Sequence, residues 1–137
     1  NHPASSILVI NGDVLTKVDY DHLLSFHQEQ NTTATMCVRE YDVQVPYGVV
    51  NVDGYLFSGI EEKPVHNFFI NAGIYVFAPD VLAMLTPGEH CDMPNFLNRI
   101  TQQEKDIAVF PVREYWLDLG QIEDFNRAKS DYDGEFN

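Results

Sequence analysis

The chain has 137 residues, 45% of them apolar, and a formal net charge of −13. That length suits one domain able to bury roughly two thirds of its unfolded surface, and the apolar content excludes a disordered segment. The charge argues against nucleic acid or an anionic membrane as partner, since both demand a basic surface, and no apolar run approaches the ~20 residues of a membrane helix.

The start, Asn1-His2-Pro3-Ala4-Ser5-Ser6, has neither the basic stretch nor the apolar stretch of a signal peptide. Cys37 and Cys91 match no zinc spacing. Two buried thiols in a reducing cytosol are the expectation ahead of a disulfide, and a cytoplasmic location is expected.

Ile7-Leu8-Val9-Ile10 is continuously apolar, the pattern of a strand covered on both faces, as in the middle of an α/β sheet. Asn11-Gly12-Asp13 then signals a turn. Asp19 reads as an N-cap, and Tyr20, Leu23, Leu24 and His27 recur at helical spacing, so a helix is predicted over 20–30. Thr33 to Arg39 is β-branched and alternating, hence a strand. Tyr47 to Val52 and Tyr55 to Glu62 flank Asp53-Gly54, a hairpin signal.

Phe68 to Phe77 reads as a mostly buried strand. Pro79 opens a short helix to about residue 85, which Thr86-Pro87-Gly88 breaks. Pro94 suits a first helical position, and Phe96, Leu97 and Ile100 share a face, so a helix is predicted over 94–104. Ile107 to Val112 and Tyr115 to Leu117 are strand-like. A last helix is expected over 121–130 with Ile122, Phe125 and Ala128 inward, and a frayed tail after Tyr132. The result is one α/β domain over 1–137, with a mixed, mostly parallel sheet flanked by helices and no internal repeat or linker.

Three carboxylate sites stand out. Asp13 follows a buried strand, where ligands of open α/β sheets gather. It can hold Mg²⁺ beside phosphates or cap its turn. Asp118 sits in Tyr115-Trp116-Leu117-Asp118-Leu119-Gly120. An Asp among such apolar neighbours is costly to desolvate unless a cation pairs with it, and it can equally cap the last helix. In Glu61-Glu62-Lys63-Pro64, strand neighbours point to opposite faces, so only one Glu faces any site. Pro64 biases Lys63 toward an extended conformation, from which it can reach a phosphate or simply end a charged strand. Asn71-Ala72-Gly73 and Tyr47-Gly48 each place a Gly in a strand, which marks either close approach of a ligand or a packing feature.

Other signals are weak or missing. There is no G-x-x-x-x-G-K-[ST] or G-x-G-x-x-G loop. His22 and His27 fall off one helical face and make a poor metal pair. Asp19-Tyr20-Asp21 and Asp131-Tyr132-Asp133 look like D-x-D motifs but suit capping or solvated roles. Ser5 and Ser6 have no neighbouring base that would make either a nucleophile.

Six stretches in order resemble the sugar-1-phosphate nucleotidyltransferases: Leu8 to Asp13, Tyr47-Gly48-Val49-Val50, Glu61 to Pro64, Asn71 to Phe77, Asp92-Met93-Pro94 and Glu114 to Gly120. The resemblance implies an enzyme that joins an NTP and a sugar-1-phosphate of mannose, glucose or heptose type into a nucleotide-sugar, releasing pyrophosphate. It implies Asp13 and Asp118 as Mg²⁺ ligands, and Lys63 on the sugar phosphate. It also implies Glu62 and Asn71 on sugar hydroxyls, with Gly48 and Gly73 letting backbone approach the sugar beside Tyr47.

The family's N-terminal Gly-rich loop, with its Arg and Pro-Lys-Pro segment, has no counterpart here. The chain therefore resembles the C-terminal, sugar- and metal-binding part, and weak or no turnover is expected of it alone. Ile7–Ile10 would then present an apolar edge through which copies associate. Two other readings stay open. One is a non-catalytic sugar-nucleotide-binding or interaction module of the same fold. The other is a metal-dependent glycosyltransferase, which would want a D-x-D where the chain has Asn11-Gly12-Asp13.

Overall fold

Apolar side chains alternate along Ala72 to Phe77, and this strand organises everything around it. In the computed structural model, which describes residues 5–136, Ala72, Ile74 and Val76 enter one buried cluster with Val18, Leu23, Cys37, Phe110 and Val112. Tyr75 and Phe77 enter another with Ala34, Val81, Phe96 and Ile100. Successive side chains on opposite faces of one strand thus build two core layers.

The strands are β1 (Ile7–Ile10), β2 (Val14–Thr16), β3 (Ala34–Gln44), β4 (Gly48–Asp53), β5 (Leu56–Glu62), β6 (Val65–Phe77), β7 (Ile107–Pro111) and β8 (Trp116–Asp118). The α-helices are α1 (Tyr20–Gln30), α2 (Met93–Gln102) and α3 (Ile122–Phe136), and Pro79–Met84 forms a 3-10 helix. Contacts divide the chain into two compact units: Arg39–Ile70, and the remainder up to Val38 and from Asn71.

In the larger unit the strand order is β1-β6-β3-β7. Leu23 of α1 belongs to the first core cluster, Phe96 and Ile100 of α2 to the second, so helices cover both faces. Asp19 caps α1 by accepting from the His22 N–H at 3.1 Å, and Asp92 caps α2 by accepting from the Asn95 N–H at 3.0 Å. The smaller unit contains the antiparallel β4–β5 ribbon.

The expected mixed α/β class is what forms, with several differences of detail. In the four-stranded sheet β3 and β7 pair in parallel and β1 and β6 antiparallel, so it is mixed as expected, while β2–β8 and β4–β5 form separate two-stranded antiparallel ladders. β1 is covered on both faces, by Leu8 in one cluster and Val9 in the other. It lies at the sheet edge rather than the middle.

The hairpin turns at Gly54-Tyr55, one position later than Asp53-Gly54, because Asp53 pairs with Leu56 and Gly54 supplies φ +59°. α3 continues to Phe136 instead of fraying after Tyr132. Asp131 anchors its second half, accepting from Arg127 Nε at 3.2 Å and from the Tyr115 hydroxyl at 3.1 Å. Ala128 is buried as expected; the side chains at Ile122 and Phe125 lie outside the described residues. Cys37 is buried but Cys91 only half so, and neither is bonded to the other.

Candidate active site

Asp13 and Asp118 are far apart in sequence and meet through a short ladder. β2 pairs with β8 so that Val14 stands opposite Asp118 and Thr16 opposite Trp116. The Leu119 N–H donates to the Asp13 carbonyl at 2.7 Å and closes the ladder's end. Asp118 Oδ1 turns back to accept from the Gly120 N–H at 2.9 Å, and its carbonyl accepts from the Gln121 N–H at 3.2 Å. This fixes the carboxylate within a local Asx turn.

Gly120 marks where the two acids converge. A Cβ there would stand 3.0 Å from Asp118 Oδ1 and 3.1 Å from Asp13 Oδ2. Both carboxylates thus border one spot, and one or two carboxylates are the number Mg²⁺ takes when it completes its shell with water and phosphate oxygens. Among the described residues no group of three His, Cys, Asp or Glu side chains offers a metal an all-protein cage.

Asn71 and Gly73 lie beside this ladder. Gly73 has φ +75°, and its missing Cβ leaves room for Asn11 Nδ2 at 2.8 Å and Val14 Cγ2 at 3.0 Å. Its carbonyl accepts from the Asn11 N–H at 2.8 Å. The Asn71 Oδ1 accepts from the Gly73 N–H at 2.9 Å, while its Nδ2 donates to the Tyr75 hydroxyl at 2.6 Å. Burial pushes the Tyr75 phenol above its ordinary value, which keeps it protonated. The Asn71 amide is thus held from both ends, at an exposed position.

The other anticipated residues lie on the smaller unit. Gly48 pairs with Glu62, and a Cβ on Gly48 would meet Glu62 Oε2 at 3.3 Å and Ile60 Cδ1 at 3.2 Å. Glu62 therefore leans over Gly48, while Glu61 pairs with Val49 on the other face, as strand alternation requires. Lys63 is not extended: its φ is +44°. The rule for residues before proline loses here to hydrogen bonds on either side of the junction. The Lys63 N–H donates to the Tyr47 carbonyl at 3.2 Å, and the Val45 N–H donates to the Pro64 carbonyl at 3.0 Å. A left-handed lysine costs about 1–2 kcal/mol, and such strain clusters at functional positions. Tyr47 keeps an exposed side chain.

The two histidines of α1 have different neighbours. His22 packs edge-on against Phe110, whereas His27 Nδ1 lies 2.8 Å from Thr35 Oγ1 in the core. Burial pushes the Cys37 thiol up to about 12, so it is an inert core group. Sequence reasoning assigned no role to Asn11, Trp116 or Tyr75, all of which touch the 71–73 segment. The one prior signal was that each lies inside a stretch already singled out.

A family model described as nucleotidyl transferase matches residues 1–135. The chain is similar to a mannose-1-phosphate guanyltransferase of Pichia angusta, 35% identical over 128 residues, 87% of this chain and 34% of that protein. It is also similar to a glucose-1-phosphate adenylyltransferase of Clostridium perfringens, 29% identical over 141 residues, 91% of this chain and 35% of that protein. In fold it matches the crystal structure of HddC from Yersinia pseudotuberculosis, with a TM-score of 0.67 at 24% identity, over 94% of this chain and 56% of that one. The same protein complexed with GMP-PN matches with a TM-score of 0.67 at 23% identity. The chain spans about a third of the length of these curated relatives.

Proposed function

The chain belongs to the nucleotidyl transferase family, and from that premise we propose that it carries the sugar- and metal-binding part of a sugar-1-phosphate nucleotidyltransferase. In that reaction a phosphate oxygen of the sugar-1-phosphate attacks the α-phosphorus of an NTP. The bond from that phosphorus to the β-phosphate oxygen breaks, and pyrophosphate leaves with the electron pair. The product is a nucleoside-diphosphate-sugar. Little covalent chemistry falls to the protein, so its work is positioning and charge neutralisation. The family match supports this reading over a metal-dependent glycosyltransferase or a non-catalytic module.

The observation that carries the proposal is the convergence of Asp13 Oδ2 and Asp118 Oδ1 on the open side of Gly120. These two carboxylates hold Mg²⁺, which when bound supplies positive charge beside the phosphates. Asn71, its amide oriented by Gly73 and Tyr75, offers a hydrogen bond to a sugar hydroxyl. On the smaller unit, Glu62, above Gly48 and next to Tyr47, suits a sugar hydroxyl, and Lys63 serves as a point charge for phosphate. Gly73 and Gly48 let the side chains of Asn11 and Glu62 close in on the backbone, and the backbone beside them is the part offered to the sugar. Cytoplasmic supply of precursors for bacterial polysaccharides is the setting this chemistry suits. The free side of β1 at the sheet edge is the expected route of self-association; a monomer by light scattering at high concentration argues against it.

Calorimetric titration with mannose-, glucose- and heptose-1-phosphates, with and without Mg²⁺, tests the proposal. Mg²⁺-dependent binding that Asp118→Ala abolishes is expected. Binding indifferent to both metal and Asp118, or no binding of any sugar phosphate, overturns it.

A further inference from the structure

We propose that Trp116 is a positioning residue: its indole N–H locks the peptide between Ala72 and Gly73 and thereby sets the orientation of the Asn71 amide. Trp116 Nε1 donates to the Ala72 carbonyl at 2.8 Å. The N–H of that same peptide group, on Gly73, donates to Asn71 Oδ1 at 2.9 Å. The Asn71 Nδ2 then donates to the Tyr75 hydroxyl at 2.6 Å. The indole, one planar peptide, the Asn71 side-chain amide and a buried phenol therefore form a single file of donors and acceptors. Each bond in such a file polarises the next.

The lock is needed because of Gly73. At φ +75° glycine pays little for either orientation of the preceding peptide, so that peptide can rotate unless both its ends are held. Rotation would remove the donor from Asn71 Oδ1 and point a carbonyl at it, and the side chain would have to turn over. Trp116 prevents this from the carbonyl end. It sits two residues before Asp118 on β8, on the same side of the strand, and its ring packs against the core cluster that contains Ala72 and Ile74. The strand that carries one metal carboxylate thus also orients the amide offered to the sugar. That last consequence rests on the function proposed above; the peptide lock itself does not.

The test replaces Trp116, the sole tryptophan, by 3-benzothienylalanine, which keeps the fused ring and loses the N–H; Trp116→Phe is the second variant. Amide exchange of Gly73 and the side-chain NH₂ signals of Asn71 are followed by ¹⁵N–¹H NMR. Gly73 should exchange about three- to tenfold faster, the worth of one hydrogen bond, and the Asn71 signals should shift. Unchanged exchange and unshifted Asn71 signals in both variants overturn the lock. Sugar-1-phosphate affinity, measured with Mg²⁺, should fall by a similar factor, while Mg²⁺ affinity without sugar stays level. Full sugar affinity in a variant whose Gly73 has lost protection overturns the positioning role. If the parent chain binds no sugar phosphate, the proposed function fails, and the NMR result still decides the lock.

Discussion

The two units of this chain solve the same problem, holding polar groups in place, by opposite means. In the larger one, Leu23, Ile74, Val76, Val81 and Ile100 are wholly buried, and Asp13, Asn71 and Asp118 extend from elements packed on that core. Between Arg39 and Ile70 no described residue is buried, yet Val50, Val52, Phe57, Ile60, Phe68 and Phe69 all stand more than half exposed. A two-stranded ribbon has no interior of its own and is marginal alone. Glu62, Gly48 and Lys63 are set by ladder hydrogen bonds and backbone conformation. The lesson is that one chain positions polar groups on a packed core in one unit and on a bare hydrogen-bonded ladder in the other.

The sharpest way to break this comparison is to truncate an isoleucine in each unit. Ile74→Ala should cost about 2–5 kcal/mol, whereas Ile60→Ala, at 60% exposure, should stay within about 0.5 kcal/mol. Urea unfolding measures both, and equal losses would mean that the ribbon is packed as tightly as the core. Glycines sharpen it next. Gly73→Ala meets both a left-handed backbone and Asn11, so a loss of about 2 kcal/mol is expected. Gly48→Ala meets only the ends of Ile60 and Glu62 and should change thermal stability by under about 0.5 kcal/mol. Its effect should show instead in sugar-phosphate affinity, read by calorimetry.

Lys63→Gly works the other way. Relief of the left-handed lysine outweighs the added chain entropy, for a net gain of about 0.5–1 kcal/mol, while phosphate affinity drops. A loss of stability would show that Lys63 is not strained.

The smallest effect concerns His27, held below its ordinary pKa by burial. The unfolded chain binds that proton more readily, so stability is complete above about pH 6.5 and falls as pH drops through that value toward the folded pKa. His27→Gln should flatten the urea midpoint between neutral pH and about pH 5. An unchanged slope would place the acid sensitivity elsewhere.

Much of this was readable beforehand, for local reasons. Asp19 announces one helix start because an N-cap needs only its own next turn, and Pro94 announces another because its fixed φ suits a first helical position. The nearly continuous apolar run in Phe68 to Phe77 announces a mostly buried strand. β2 escaped notice because Val14-Leu15-Thr16 is too short to show a period. Lys63 was misjudged because a rule about two neighbouring residues ignores the hydrogen bonds that bracket them.

Composition, turn residues and periodicity determined by themselves the α/β class, the places where strands end, and which acids stand at those ends. Only the tertiary structure decided that Asp13 and Asp118 converge over Gly120, and that Trp116 reaches the peptide beside Asn71. Periodicity tells a side chain which face it occupies but not which distant strand it will pair with. That choice depends on the register of β2 against β8 and on a core assembled from segments far apart in the chain.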